Sequence, residues 1–260
     1  MKAILITGAG SGIGRATAQL FASRGWRVGV ADVNESGIRD TLALLPAGRA
    51  HGYPMDVRSI DEWEETLAAF TTESGGRLDV LMNNAGIAAG GAFADIAPDA
   101  LDRVIDVNFR GVAYGARVAH RYLKASGGVL LNTASASAIY GSAGLAAYSA
   151  TKFSVRGLTE ALDAEWAADG IKVRDLMPGF IDTPLLDIAV AGTNHSARDA
   201  VREAKLEFTP VEQVAEAAWR AVHGDAVHTY VGPTAKRLAF AARWLPGRLR
   251  KTMRERVLGG

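Results

Sequence analysis

Cysteine is absent from this 260-residue chain, which removes disulfides and thiolate nucleophiles from the available chemistry. Long apolar runs are missing too. The longest stretch without a formal charge lies between Lys124 and Lys152, and it is broken by Asn132 and by several serines and glycines, so no segment is expected to span a membrane. The opening Met-Lys-Ala-Ile-Leu-Ile-Thr-Gly is too short an apolar run for a secretory signal and reads as a first strand, making a cytoplasmic protein the expectation. Formal net charge is only +1, which gives the body of the chain no reason to bind nucleic acid. His51, His120, His195, His223 and His228 show no ligand spacing, so no metal site is expected.

What the chain has is apolar content and order. At 48% hydrophobic residues it can bury a full core as one large domain. Short apolar runs alternate with helical patterns from the start: Ala3–Ile6, Arg27–Ala31, Arg49–Tyr53, Leu78–Met82, Gly128–Asn132, Lys172–Met177 and Val227–Val231 read as strands. That rhythm predicts an α/β fold, a doubly wound, mostly parallel sheet of about seven strands with helices on both faces. Helices are expected over Arg15–Ser23, Pro98–Leu123, Tyr148 to about Ala168, and Val211–Val222. The mixed pattern of 184–208 reads as a lid within a domain of residues 1–235.

Residues 135–152 carry the strongest chemical signal. Tyr148 and Lys152 are four apart, so on a helix they share a face about 6 Å apart along the axis, and the lysine stem leans back toward the phenol. A free phenol has a pKa near ~10, and ionising it near neutrality takes about 3–4 kcal/mol. One ammonium at ~4 Å supplies about 4 kcal/mol at an effective dielectric of ~20. Burial opposes this, so a second positive charge would help. Ser135, at the end of a strand, can donate to a substrate oxygen where charge develops. Taken alone, the pair also reads as a buried aromatic beside a snorkelling lysine.

Other stretches point the same way without deciding alone. Thr7-Gly8-Ala9-Gly10-Ser11-Gly12-Ile13-Gly14 lies between a strand and a helix, where close-approaching amides can hold a diphosphate, or simply make a tight turn. Asp32 ends the second strand, placed to accept both ribose hydroxyls of NAD and repel a 2′-phosphate; a cap or turn role competes. Neither Ser11 nor Val33 offers a cation to reverse that preference. Asp56 reads as an adenine contact or as the cap of a helix beginning near Ser59. Asn83-Asn84-Ala85-Gly86 suggests a strand end under a ligand, or a stabilised turn. Asn108 stands among valines inside a helical pattern, where it needs a partner or marks a break between two helices.

Together these stretches resemble the short-chain dehydrogenase/reductase family over nearly the whole chain apart from a basic tail. Five motifs stand in the family's order: Thr7–Gly14, Asp56-Val57, Asn83-Asn84-Ala85-Gly86, Ser135 with Tyr148 and Lys152, and Pro178-Gly179. The resemblance implies an NAD-dependent oxidoreductase interconverting a secondary alcohol and its ketone. Tyr148 would exchange the hydroxyl proton, Ser135 steady the same oxygen, Lys152 bind the nicotinamide ribose, and Asn108 hold a relay water. It further implies cofactor contacts at Gly8, Ser11, Gly12, Ile13, Gly14, Asp32, Asp56, Val57, Asn84, Ala85, Gly86, Pro178, Gly179, Ile181 and Thr183.

Positions that line the family's pocket are apolar or small here: Ile87, Ala88, Ala136, Ile139, Tyr140, Gly179 and Phe180. A lipophilic substrate, steroid-like or long-chain, is therefore expected, with His195 and Arg198 of the lid as the groups able to overturn this. A reductase of carrier-bound 3-oxoacyl chains and a non-catalytic NAD-binding sensor are the alternatives. The wide apolar arc of Phe153, Val155, Leu158, Ala161, Leu162 and Trp166 suggests a homodimer or homotetramer. Residues 236–260 hold eight cations against Glu255, a net +7, leaving −6 for the rest. There Leu238, Ala242, Leu245, Leu249, Met253 and Val257 recur at three- and four-residue spacing around Pro246-Gly247. Two basic amphipathic helices are expected, packed on the protein or a second copy, or touching a membrane surface.

Overall fold

Seven short apolar runs become the strands of one parallel sheet in the computed structural model, which describes residues 1–187, 196–203 and 206–258. In chain order the elements are β1 (Ala3–Thr7), α1 (Gly12–Ser23), β2 (Arg27–Asp32), α2 (Glu35–Ala43), β3 (Ala50–Pro54), α3 (Ile60–Glu73), β4 (Val80–Asn83), α4 (Pro98–Ile105), α5 (Gly111–Ser126), β5 (Val129–Thr133), α6 (Ala146–Glu165) and β6 (Lys172–Pro178). There follow β7 (Phe180–Ile181), α7 (Ala197–Glu203), β8 (Phe208–Thr209), α8 (Val211–His223), β9 (His228–Val231), α9 (Pro233–Trp244) and α10 (Pro246–Leu258). The main sheet runs β3-β2-β1-β4-β5-β6-β9, all parallel, and β7 pairs separately with β8. The order reverses between β1 and β4, the place where such sheets open a crevice at their carboxyl ends.

Strand residues alternate between two cores. Ile4, Ile6, Val28, Val30 and Met82 face one side with Phe21 and Trp26, while Ala3, Leu5, Leu81 and Leu130 face the other with Trp63, Leu67 and Phe70. Burial on both faces is why the strands read as near-continuous apolar runs.

The structure corrects or narrows three expectations. The helix after the glycine loop begins at Gly12, not Arg15, so Gly12 and Gly14 sit in its first turn. The helical region expected over 98–123 is two helices joined by a π-helical segment, Asp106–Arg110, which holds Asn108. The tail stripe turns inward: Leu249 is buried, and Leu238, Ala242 and Met253 are half-buried, while Leu245 stays exposed. His195 lies outside the described residues, as does the side chain of Val257, and α9 starts at Pro233, across the boundary expected at 235/236.

An ionic chain running from buried Asp175 out to half-exposed Glu160 fastens α6 to the sheet edge. His228 Nδ1 pairs with Asp175 Oδ2 at 2.9 Å, and its Nε2 lies 3.1 Å from Glu160 Oε1 on α6. Arg156 holds Glu160 at 2.8 Å and donates to the Ala138 carbonyl at 3.3 Å. The hydrogen bond to Asp175 raises His228 above the usual imidazole value, and burial raises Asp175 as well. A proton on this pair is thus held more tightly than in the unfolded chain. Its stabilisation is complete below about pH 6.5 and is lost as pH climbs through the raised value. The thermal midpoint should therefore decline from that pH upward, and His228→Gln should remove this component of the slope in a calorimetric pH series.

Candidate active site

Every loop that the sequence marked leaves a strand at its carboxyl end, on one edge of the sheet. The glycine loop follows β1. Ser11 at the N-cap of α1 makes no side-chain cap bond, so the leading amides of the helix face outward without an internal partner. Gly14 has to be glycine: a β-carbon there would lie 2.3 Å from the Gly8 carbonyl oxygen. A β-carbon on Gly12, whose φ is +49°, would come 3.0 Å from Thr183 Cγ2, which places Thr183 directly over the loop.

Asp32 turns toward this loop. Its Oδ2 accepts from the Gly10 amide and its Oδ1 from the Asn34 amide, both at 2.9 Å. The helix cap is Asn34 instead, which accepts from Gly37. Each Asp32 oxygen keeps a lone pair, so the carboxylate is oriented without being used up. Asp56 does not cap α3 either; Ser59 does. Its carboxylate is held by Arg58 on both oxygens, which draws its pKa below the usual value.

Thr7, to which the sequence reading gave no role, organises the next loop. Its Oγ1 accepts from the amides of both Asn84 and Ala85 at 3.0 Å. Asn84 Nδ2 in turn donates to the carbonyls of Thr7 (2.9 Å) and Gly8 (3.3 Å), locking the β4 loop to the glycine loop. The only signal for this was a hydroxyl residue immediately before the glycines. Asn83 lies deeper, donating to Asn132 Oδ1 at 3.0 Å, and Asn132 passes on to Thr159 Oγ1 of α6 at 3.0 Å.

Asn108 is fully buried in the π-helical segment. Its amide reads the backbone of Ile87 in both directions, accepting from the nitrogen at 2.9 Å and donating to the oxygen at 2.8 Å. It also donates to Thr151 Oγ1 at 3.2 Å, and Thr151 is bonded to the Tyr148 carbonyl at 2.7 Å. The asparagine therefore neither caps nor merely interrupts: it fastens the loop after β4 to the face of α6 that carries Tyr148 and Thr151.

On that face Tyr148, Thr151 and Lys152 are buried together. Lys152 Nζ lies 5.6 Å from the centroid of the Tyr148 ring and donates to the Thr133 carbonyl at 2.8 Å. Burial brings the ammonium down to about 8. Tyr148 departs from expectation. Burial raises its pKa, offset in part by a hydrogen bond with Ser135. Desolvation disfavours the phenolate here, so ionising the phenol needs positive charge brought close to it. Ser135, bonded through Oγ to the Ser137 amide at 3.1 Å, completes the group.

Ile87, Ala88, Ala136, Ile139, Tyr140, Gly179 and Phe180 all keep some solvent access. Arg198 brings no free charge to this wall. It is bound to Asp182, to Asp187 at 2.8 Å and to the Thr183 carbonyl at 3.0 Å, tying α7 to the turn after β7.

Residues 2–193 match the family described as short chain dehydrogenase. An uncharacterized oxidoreductase, YxbG of Bacillus subtilis, is 32% identical over 83% of this chain and 80% of its own length. The probable oxidoreductase EphD of Mycobacterium tuberculosis is 34% identical over 98% of this chain, which spans only 45% of that protein. Among solved structures, a 3-ketoacyl-(acyl-carrier-protein) reductase from Brucella melitensis complexed with NADH superposes with a TM-score of 0.78 at 30% identity, covering 88% of this chain and 96% of that one. A variant of actinorhodin polyketide ketoreductase with NADPH gives 0.80 at 32% identity, covering 88% and 95%.

Two stability outcomes follow from this geometry. Thr7→Val, similar in shape, strands two amides and should cost about 2–4 kcal/mol in urea unfolding. Lys152→Met removes a desolvated ammonium whose penalty is complete below about pH 8 and fades toward the ordinary lysine value. It should raise stability at neutral pH by about 1–2 kcal/mol, and less at alkaline pH.

Proposed function

The chain belongs to the short-chain dehydrogenase/reductase family, oxidoreductases of alcohol and ketone groups, and from that premise we propose that it interconverts a lipophilic secondary alcohol and its ketone with NAD. The observation that carries the reading is the burial of Tyr148 and Lys152 on one face of α6, beside Ser135. Such a set has one obvious use, moving a proton to and from an oxygen held at the phenol.

The donor set suits a nicotinamide dinucleotide. The uncapped start of α1 offers amides to a diphosphate, Gly14 lets that helix pack closely on the Gly8–Ala9 backbone, and the oriented Asp32 suits a pair of ribose hydroxyls. When bound, such a group supplies the hydride acceptor or donor and, when oxidised, a positive charge. Ser11, Gly12 and Ile13 would line the diphosphate, Asn84, Ala85 and Gly86 the adjoining ribose, and Pro178, Gly179, Ile181 and Thr183 the nicotinamide end. Val57 would flank the adenine. Asp56, already engaged by Arg58, would position that loop. Asp32 favours NAD because a 2′-phosphate beside it would set like charges together.

The residues' own work is then specific. Tyr148 accepts the alcohol proton during oxidation and returns it during reduction. Ser135 donates to the same oxygen, and charge developing there makes that bond stronger than in the ground state. Lys152, fixed by Thr133, favours the phenolate, and its value near 8 lets it pass a proton on near neutrality. Asn108 holds the Ile87 backbone and Thr151, keeping the relay's floor in place. The apolar cleft wall, with Arg198 neutralised by two aspartates, supports a substrate without an anionic group. A 3-oxoacyl chain is the second reading, favoured by similarity to the Brucella reductase. The proton set has no use in a pure sensor. Ile105, Phe109 and Phe153, exposed on neighbouring elements, support a homodimer or homotetramer.

A panel of secondary alcohols and ketones with NAD and NADP, read at the nicotinamide absorbance, tests this. Turnover with an apolar alcohol and NAD is expected; activity confined to substrates bearing a phosphate or carboxylate would overturn the substrate class. Tyr148→Phe should keep dinucleotide affinity and lose about 10²–10⁴-fold in turnover. Asp32→Ala should raise kcat/KM with NADP relative to NAD.

A further inference from the structure

The inward turn of the expected tail stripe leaves another apolar stripe outside. Lys236, Phe240 and Trp244 recur every four residues along α9 and are all exposed, Phe240 by 60% and Trp244 by 63%. Leu245, 43% exposed, continues the patch at the turn into α10. Around it stand exposed cations on both helices: Arg237 and Arg243 on α9, Arg248, Arg250, Lys251 and Arg254 on α10. Glu255 is the only acid in residues 233–258. Arg243 stacks on the Trp244 ring, 5.2 Å from its centroid, so cation and aromatic form one surface.

We propose that α9 and α10 are a docking surface for an anionic phospholipid bilayer, with Phe240, Trp244 and Leu245 entering the headgroup–acyl boundary and the surrounding arginines and lysines meeting lipid phosphates. Charge complementarity selects this occupant. A cluster of cations with almost no acid repels a second copy of itself, whereas anionic lipid neutralises it. Aromatic and leucine side chains at the centre suit a surface with an apolar interior. The two helices have 12 and 13 residues, and no helix among the described residues is long and apolar enough to cross a membrane, so the contact is peripheral. The surface adjoins the cleft: α9 packs against the Ala136–Ala138 turn next to Ser135, and its Thr234 and Ala235 lie beside Gly179. A lipophilic substrate partitioned in a bilayer would meet the protein at this end.

Sedimentation of the full chain with vesicles of phosphatidylcholine alone, or mixed with phosphatidylglycerol, tests the surface without reference to turnover. Failure of the alcohol assay would leave it standing, and the reverse. Binding should be at least about tenfold stronger to the mixed vesicles and should weaken with salt. Phe240→Ser with Trp244→Ser, and separately Arg243→Glu with Arg248→Glu, should each lower the partition coefficient at least about tenfold, with circular dichroism and turnover in solution unchanged. Brominated phosphatidylcholine in the mixed vesicles should quench tryptophan emission in the native chain and much less in Trp244→Phe, which should still bind. Equal binding to both vesicle types, or anionic binding undiminished by the double serine variant, would overturn the proposal. So would dissociation of an oligomer by that variant without vesicle binding, which would make the patch an interface between copies.

Discussion

An ammonium with no carboxylate partner among the described residues, pinned inside the protein by one backbone carbonyl, is the constraint on which the site depends. Lys152 reaches the Thr133 oxygen only because β5 ends where α6 begins its second turn. The same burial that lowers the lysine raises the tyrosine. The two shifts bring a neutral amine and a neutral phenol closer to coexistence than either would be in water. Under the proposed function the pair is a proton reservoir awaiting a field, and the stability given up locally lets a modest external charge decide where the proton sits.

The surrounding polar network makes that arrangement affordable to the fold. Thr7 ties β1 to the β4 loop, Asn84 ties that loop to the glycine loop, and Asn83, Asn132 and Thr159 carry a chain of side-chain bonds from the sheet to α6. Asn108 and Thr151 anchor the other flank, and His228, held by Asp175, pairs with Glu160 to fasten the far side of α6 to the sheet edge. The helix that carries Tyr148 and Lys152 is thus fixed by polar contacts on three sides. That suits a site whose reacting atoms must be placed within fractions of an ångström.

How much of this was legible depended on the range of the interaction. The strand–loop–helix order and the shared face of Tyr148 and Lys152 follow from local spacing, and the α/β architecture from the alternation of apolar runs. Asp56 illustrates the first difficulty: its partner, Arg58, is two residues away, yet cap, ligand contact and ion pair share the same local pattern. His228 illustrates the second. Asp175 and Glu160 lie 53 and 68 positions away, brought together only by the pairing of β6 with β9, and no spacing announces them. Thr133 contributes a carbonyl, which any residue has, so its identity was silent. In the tail, the periodicity contained two apolar stripes, and packing against the body chose between them.

The π-helical segment at Asp106–Arg110 is one residue of slack wound into an otherwise regular rod. Excising a single residue ahead of Asn108, with α5 and everything after it left in place, would turn α4 by about 100° around the axis. The bulge therefore works as a phase shifter. It lets the solvent-facing register of α4 and the core-facing register of α5 be chosen independently, with the amide parked at the angle that neither helix alone would provide.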